Sequence, residues 1–306
     1  IVGLGQVGNY LYNELNLKKK EIELKSGKKI NIVAISAKNK NKKRRFKIKK
    51  DIFYSNPLNI FKEKKIDILF ECVGNSDGIS KKIVETAIKN KINVITPNKA
   101  LIAKHGDYLA KLAEKNNVNL EFEAAVCGGV PIIRSLKESL IANKIQKIYG
   151  IFNGTSNYIL SSMQKDNKNF NEVLDKAKYL GYAESNPSAD LNGDDVASKL
   201  KILSSLCFNS YLNNNIHVEG INNIDKEDID NADKLGYKIK LLGVAELINN
   251  CIYQRVHPAL VKKSSYVASI DGVLNAVILN GHPVGQSIIQ GEGAGPAATT
   301  SALVSD

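Results

Sequence analysis

Short apolar runs alternate with helix-like spacing over the first hundred residues of the chain. Runs at 30–36, 66–74 and 92–96 are typical of buried strands, and a strand end followed by glycines opens the chain. Within 80–90 the apolar residues recur at helical spacing, namely Ile83, Val84, Ala87 and Ile88. Strands that alternate with helices predict βαβ units and a parallel sheet, so we predict an α/β fold for this region.

The pattern changes after about Pro131. Helical spacing dominates 157–208, and one face of a predicted helix there is formed by Phe170, Val173, Leu174, Ala177 and Leu180. Gly181 is suited to end that helix. From 251 to 284 the pattern indicates further strands and a helix, so we predict a second region of different architecture.

Composition narrows the class of protein. The chain has 306 residues, enough for two domains, and its hydrophobic share of 43% is that of an ordinary soluble protein. No apolar run reaches the roughly 18 residues that span a bilayer, and no secretory signal is visible, so we expect no membrane partner.

The four cysteines contain no C-x-x-C pair, which favours reduced thiols in the cytoplasm. Because the chain opens inside a predicted strand and stops abruptly at Asp306, we expect it to be a fragment.

The formal net charge of +12 is concentrated in one segment. Between Lys38 and Lys50 nine residues are basic and none is acidic. Only Phe46 gives this run an aromatic side chain, whereas a nucleic-acid surface needs aromatic interleaving or a known binding module. We therefore expect no nucleic-acid partner. The segment is either a solvated surface or the source of one or two cations for a cofactor phosphate.

A Gly-rich motif, Gly3-x-Gly5-x-x-Gly8, lies between the first predicted strand and the helix that follows it. In a nucleotide-binding turn the first glycine permits the tight turn, the second lets a pyrophosphate approach the backbone, and the third lets helix and strand pack closely. The N-terminus of the helix, with Gln6 and Val7, offers N–H groups and a positive dipole end to the phosphates. The alternative is a tight turn that binds nothing.

The residues after the second predicted strand bear on which nicotinamide cofactor is used. An acidic residue there would accept hydrogen bonds from the ribose hydroxyls of NAD, but none occurs before Asp51. A 2′-phosphate could instead meet one of four cations, Lys38, Lys40, Arg44 or Arg45. The sequence therefore favours NADP, with NAD as the alternative.

The pattern over 194–207 predicts an amphipathic helix with one charged residue on its apolar face. At about 100° per residue, its apolar face is formed by Val196, Leu200, Ile202, Leu203, Leu206 and Cys207. Lys199 points into that face, and the opposite face carries Lys201, Ser204 and Ser205. Asp195 lies one turn before Lys199 on the same side. Since a lysine among apolar residues is unfavourable unless it is paired, Lys199 is a candidate functional residue. The alternative is a snorkelling lysine paired with a surface aspartate.

Two further acids precede this helix in predicted loops. Glu184 follows Tyr182 and Ala183, and Asp190 follows Ser188 and Ala189. Together with Asp195 they are three carboxylates that could converge on a small cationic substrate.

The residues 181–199 resemble the signature of homoserine dehydrogenases. The segments 96–99, 128–133, 153–160 and 291–295 agree with that family and occur in its order across almost the whole chain. The resemblance implies reversible NAD(P)-dependent reduction of aspartate 4-semialdehyde to homoserine, a step in the biosynthesis of threonine, methionine and isoleucine. It implies a homodimer or homotetramer.

The same resemblance implies residue roles. The general acid/base falls on Lys199. Substrate contacts fall on Glu184, Asp195, Asp190, Tyr182, Thr155 and Lys99. Further cofactor contacts fall on Lys99, Gly181 and Gly295. A monovalent cation, usually sodium, is implied at Glu123 and the backbone carbonyls of Val126, Gly128 and Val130, since carbonyl oxygens are reasonable ligands for hard cations. The alternative for Glu123 is an ordinary carboxylate at a strand end.

The fold that the resemblance implies is α/β, a Rossmann-type nucleotide-binding domain with an inserted α+β domain. The nucleotide-binding domain would comprise 1–130 and 286–306. The residues 131–285 would form the domain for catalysis, substrate binding and dimerisation.

Two rival functions remain at this point. A thiolate-dependent semialdehyde dehydrogenase needs a cysteine nucleophile, for which Cys127 is the candidate, although the nearest histidine in sequence is the distant His105. The second rival is a non-catalytic NADP-binding sensor.

Overall fold

The computed structural model describes residues 1–40, 44, 46, 50–212 and 215–306. Its internal contacts divide the chain into two units, the first made of 1–128 and 295–306 and the second of 129–294. The α-helices of the first unit are α1 (Gln6–Leu17), α2 (Lys19–Ser26), α3 (Ile60–Glu63), α4 (Ile79–Lys89), α5 (Lys99–Asn116) and, at the end of the chain, α12 (Pro296–Ser305). Its strands are β1 (Ile35–Ser36), β2 (Phe53–Tyr54), β3 (Ile68–Phe70), β4 (Asn93–Ile95) and β5 (Leu120–Glu121).

The second unit contains the remaining elements. Its helices are α6 (Ile132–Arg134), α7 (Gly154–Asp166), α8 (Phe170–Tyr179), α9 (Ser188–Leu191), α10 (Asp194–Phe208) and α11 (Lys226–Lys234). Its strands are β6 (Lys144–Ile151), β7 (His217–Val218), β8 (Tyr237–Ile248), β9 (Cys251–Lys262), β10 (Leu274–His282) and β11 (Gly285–Glu292).

The first unit has the predicted α/β character. Strands β3, β4 and β5 form a parallel sheet, and β1 pairs with β2 in parallel. The expected first strand is reduced to Val2, which forms parallel bridges to both Ser36 and Glu71. Helix α4 buries all four of the apolar residues that predicted it. Helix α12 packs on α1 through Leu303 and Leu11, which share one apolar cluster.

The second predicted strand is much shorter than its apolar pattern indicates. Of the run 30–36, only Ile35 and Ser36 lie in a sheet ladder. Ile30 and Ile32 instead pack side chains against apolar clusters of this unit. The apolar signal therefore arose from core contacts that do not require sheet pairing.

The second unit is built on a six-stranded sheet with the order β11-β10-β6-β8-β9-β7. Neighbouring strands are antiparallel except β7 and β9, which are parallel. Helix α10 packs on one face, where Gly243 leaves room for the ring of Phe152 and for Val196: a Cβ at position 243 would lie 2.7 Å and 3.0 Å from their atoms. This close packing fixes Phe152, whose carbonyl belongs to the site described below.

Two features of this unit differ from the sequence expectation. The resemblance implies that 286–292 belongs to the nucleotide-binding domain, but in the structure this segment pairs with β10 as part of strand β11, and the second unit extends to Ala294. The helix expected within 251–284 is only a short 3₁₀ turn at Tyr266–Ser269. Edge pairing and turn length depend on neighbouring strands, which a local pattern does not report.

Ser204 is also placed differently. The helical projection set it on the polar face of α10, but it is buried in the structure. Four residues after Leu200 and next to Leu203 in the sequence, it lies at the border of the apolar face of the helix. Within the described ranges, no helix is long and apolar enough to cross a membrane.

Candidate active site

The Gly-rich motif forms a tight turn that opens α1. Gly3 has a φ of +94°, and a Cβ there would lie 2.4 Å from the carbonyl oxygen of Cys72. A Cβ at Gly8 would lie 1.9 Å from the carbonyl oxygen of Gly3. Around Gly5 the space is open, since no atom lies within 4 Å of the corresponding position. Gln6 and Val7 begin the helix beside that open space, an arrangement that fits a pyrophosphate at the N-terminus of α1.

The cations that follow β1 are only partly described. Lys38 is exposed, and the ammonium of Lys40 lies 5.3 Å from the centre of the Phe53 ring. The guanidinium of Arg44 donates to the carbonyl oxygens of Lys40 at 3.1 Å and Asn39 at 2.7 Å. Arg45 lies outside the described residues. The segment therefore presents at least Lys38 to solvent just past β1.

In the second unit, the candidate active site is centred on a buried ion pair on α10. The ammonium nitrogen of Lys199 lies 2.8 Å from Oδ2 of Asp195, and the two residues are only 8% and 7% exposed. The same nitrogen donates to the carbonyl oxygen of Phe152 at 2.6 Å. The interpretation of Lys199 as a snorkelling surface lysine is therefore wrong. An ammonium held between a carboxylate and a carbonyl is positioned to donate a proton or to stabilise an oxyanion.

Asn153 joins this pair to a second carboxylate. Its Nδ2 donates to Asp195 Oδ2 at 2.8 Å and to Asp190 Oδ1 at 2.7 Å. Its Oδ1 accepts from the N–H of Ser156 at 2.8 Å and so caps the N-terminus of α7. Sequence reasoning gave Asn153 no role. The available signal was an N-cap residue at the start of a predicted helix, which does not reveal contacts to residues about forty positions away.

A loop between α8 and α9 borders the same helix end. The hydroxyl of Thr155 donates to the carbonyl oxygen of Tyr182 at 2.7 Å. The Tyr182 ring is 44% exposed and lies 4.9 Å from that of Tyr158. Gly181, with a φ of +78°, lies at the start of this loop, and Glu184 is exposed two residues after Tyr182. The structure thus links Asp190 to Asp195 through Asn153, and Glu184 lies on a loop that Thr155 ties to α7.

A second buried lysine anchors α7 to the sheet. Lys240, on β8, is 1% exposed, and its ammonium contacts Asn157 Oδ1 at 3.0 Å, the carbonyl oxygen of Ile270 at 2.5 Å and Asp271 Oδ1 at 2.7 Å. Burial lowers the pKa of Lys240, and the neighbouring Asp271 opposes that shift. Because Asn157 lies one turn after Asn153, this contact fixes the helix end that carries Asn153.

Lys99 and Gly295, the other residues expected at the cofactor, belong to the first unit. Lys99 is half-buried and is the first residue of α5, directly after the N-cap Asn98. Gly295 has a φ of +97° and precedes α12.

The residues expected to bind a cation lie in and after a 3₁₀ turn. Glu123 is 4% exposed, and its N–H donates to Asp306 Oδ2 at 3.0 Å. Between Val126 and Gly128 the backbone turns sharply, with positive φ at Cys127 (54°) and Gly128 (29°). Val130 belongs to the second unit. Among the described residues, no three His, Cys, Asp or Glu side chains are grouped to hold a metal ion, so any cation here would rely on carbonyl oxygens besides Glu123.

The chain is similar to homoserine dehydrogenases over its whole length. A family profile described as homoserine dehydrogenase matches 131–306, and one described as the NAD binding domain of homoserine dehydrogenase matches 3–123. Relatives named homoserine dehydrogenase from Neisseria gonorrhoeae and Pseudomonas aeruginosa are 42% and 40% identical, over all of this chain and 70% of each relative. The crystal structure of a homoserine dehydrogenase from Thiobacillus denitrificans superposes with a TM-score of 0.92 at 38% identity, over all of this chain and 70% of that one.

Proposed function

The chain belongs to the homoserine dehydrogenase family, and from this premise we propose that it reversibly reduces aspartate 4-semialdehyde to homoserine. It is an NAD(P)-dependent oxidoreductase that acts on a CH–OH group. The observation that supports the proposal most is the buried Lys199–Asp195 pair with its 2.8 Å contact. The test is to add homoserine and NADP⁺ to the purified chain and to follow the absorbance of the reduced nicotinamide. If the absorbance of the reduced nicotinamide does not rise when homoserine is added, the proposal is contradicted.

Lys199 is the proposed proton donor. A reduced nicotinamide cofactor, when bound, would supply the hydride to the aldehyde carbon, and Lys199 faces the negative charge that this places on the aldehyde oxygen. The Lys199 ammonium gives its proton to that oxygen and becomes a neutral amine, which takes the proton back in the oxidation of homoserine. General acid catalysis of this kind contributes roughly 10²–10⁴ in rate, or about 3–5 kcal/mol of barrier.

Carboxylates are the proposed ligands of the substrate's α-ammonium group. Glu184 would bind it, with Asp190 and Asp195 as further contacts. Tyr182 and Thr155, which meet at the N-terminal end of α7, are proposed as further substrate contacts. Lys99 is proposed to contact both substrate and cofactor. The support is the hydrogen bonding that joins Asp190 to Asp195 through Asn153 and ties the Tyr182 loop to Thr155.

NADP is the proposed cofactor, because the segment after β1 contains cations and no acid before Asp51. Replacing Lys38, Lys40, Arg44 and Arg45 together by alanine is expected to lower kcat/KM for NADP severalfold and to change that for NAD little. The control makes the same change of charge at four exposed lysines on and after α2, namely Lys20, Lys25, Lys28 and Lys29. A parent enzyme that already prefers NAD severalfold would contradict this assignment.

A monovalent cation, sodium, is the proposed second cofactor, with Glu123 and the carbonyls of Val126, Gly128 and Val130 as ligands. The buried carboxylate and the sharp turn at Cys127 and Gly128 support it. Exchanging sodium for the bulky tetramethylammonium ion is expected to lower kcat/KM severalfold in the parent. Glu123→Gln should have low activity in both salts, because its neutral amide no longer balances the cation. Equal parent activity in the two salts argues against the site.

The proposed assembly is a homodimer or homotetramer. The sheet face opposite α10 carries an apolar cluster with Val244 and Ile278, and Ile288 on β11 is 37% exposed beside it. Sedimentation of the purified chain should give twice or four times the mass of one chain. We place the enzyme in the cytoplasm, in the synthesis of threonine, methionine and isoleucine, which agrees with four cysteines that form no disulfide in the described part of the chain.

A further inference from the structure

Glu71 is a buried acid at the end of β3 that the mechanism above does not use. It is 0% exposed and follows Phe70, the last residue of the strand. Its Oε1 accepts from the hydroxyl of Ser80 at 2.8 Å and from the N–H groups of Val73 at 2.8 Å and Gly74 at 3.4 Å. Its Oε2 accepts from the hydroxyl of Thr96 at 2.7 Å and from Nδ2 of Asn98 at 3.2 Å.

The donors on Oε2 are oriented by their other hydrogen bonds. Thr96 Oγ1 accepts from the N–H of Asn98 at 3.0 Å, so its own proton is available to Glu71. Asn98 Oδ1 accepts from the N–H of Leu101 at 3.1 Å, and its Nδ2 also donates to the carbonyl oxygen of Asn75 at 2.8 Å. All five groups that contact Glu71 act as donors to its carboxylate, whereas a glutamine would turn an N–H group toward one set of these donors.

The network joins segments at the carboxyl ends of two neighbouring parallel strands. Glu71 follows β3 and Thr96 follows β4, and these strands pair in parallel. Ligands of open α/β sheets bind beyond the carboxyl ends of their strands. Asn98, the N-cap of α5, directly precedes Lys99, so the position of Lys99 depends on the contact between Asn98 and Glu71.

We propose that Glu71 is a positioning residue whose carboxylate, as an acceptor of hydrogen bonds, fixes the start of α5 and thereby places Lys99 for catalysis and cofactor binding. This inference rests on the proposed function, because that function assigns Lys99 to the cofactor and substrate. Glu71 itself touches neither. It acts by holding Asn98 and Thr96, and a displacement of about 1 Å in a supporting segment can lower a rate by roughly 10²-fold.

The test is a double-mutant cycle between Glu71→Gln and Lys99→Ala. Each single variant is expected to lower kcat/KM by roughly tenfold or more and to weaken NADPH binding severalfold, as followed by NADPH fluorescence. The double variant should be no worse than Lys99→Ala alone in either measurement, since Glu71 acts through Lys99. The control is Glu85→Gln on α4, where a half-buried carboxylate lies 3.8 Å from Lys81; it should change neither quantity.

A second variant covers the case in which Glu71→Gln does not fold. Asn98→Ser keeps a residue that can cap α5 but is too short to reach Glu71, and it should reproduce the same non-additive pattern with Lys99→Ala. Losses that add in the double variants overturn the inference, because a merely structural role is independent of Lys99. A Lys99→Ala variant with parental kinetics and NADPH binding also overturns it. Both of these results can occur while the parent enzyme remains active on homoserine, so they overturn only the role of Glu71. A parent enzyme without homoserine-dependent activity would instead contradict the proposed function.

Discussion

Replacing Lys199 by alanine is expected to lower kcat by roughly 10²-fold or more while the fold and NADPH binding persist. The ammonium of Lys199 is held by Asp195 at 2.8 Å and by the Phe152 carbonyl at 2.6 Å, and its loss removes the proposed proton donor. Folding should survive, because truncating a buried lysine also removes the unfavourable burial of its charge. Steady-state kinetics and NADPH fluorescence measure the two effects separately.

Lys201 supplies the matched control for that variant. It lies two residues away on the same helix and is only half-buried, on the face opposite the pair. Lys201→Ala should change kcat little. If the two alanine variants behave alike, the assignment of Lys199 is wrong, and Lys99 becomes the next candidate for the proton donor.

Replacing Asp195 by asparagine is expected to lower kcat/KM by roughly 10²-fold. Oδ2 of Asp195 accepts from both Lys199 and Asn153, so the change removes the anion that stabilises the ammonium and disturbs the link to Asp190. An unpaired buried ammonium is disfavoured. The rate of aldehyde reduction by the variant should therefore fall off at a lower pH than that of the parent. Kinetics over a range of pH test both expectations.

The neighbouring aspartate is the control. Asp194 begins the same helix and is exposed, so Asp194→Asn makes the same change of charge at the N-terminus of α10 without touching Lys199. Its pH profile should match that of the parent. Equal losses of kcat/KM in the two variants would mean that the activity depends on the negative charge at the helix end and not on the contact between Asp195 and Lys199.

The parts of the site that sequence predicts are those with a local signal. Helical periodicity over 194–207 predicts that Lys199 lies on the apolar face one turn after Asp195, and the structure adds that both residues are buried. The turn at Gly3 and Gly8 follows from their spacing next to a strand and a helix. The α/β class of the first unit follows in the same way from alternating patterns.

The parts that sequence misses depend on partners that are distant along the chain. Asn153 and Asp195 are 42 residues apart, Glu71 and Asn98 are 27, and Lys240 and Asp271 are 31. No local pattern distinguishes such buried polar residues from ordinary loop or strand residues. The predicted domain boundary at residue 286 rests on the resemblance alone, and the pairing of β11 with β10 is a contact between strands that the segment 286–292 does not reveal by itself.

Chemical rescue of Lys199→Ala tests the central claim most directly. That claim is that a primary ammonium at position 199 donates the proton. The variant leaves space beside Asp195 and the Phe152 carbonyl that methylammonium can occupy. Reduction of aspartate 4-semialdehyde by the variant is predicted to recover with increasing methylammonium and not with tetramethylammonium, while the parent and Lys201→Ala stay unchanged. No recovery with methylammonium, in a variant that folds and binds NADPH, would contradict the claim.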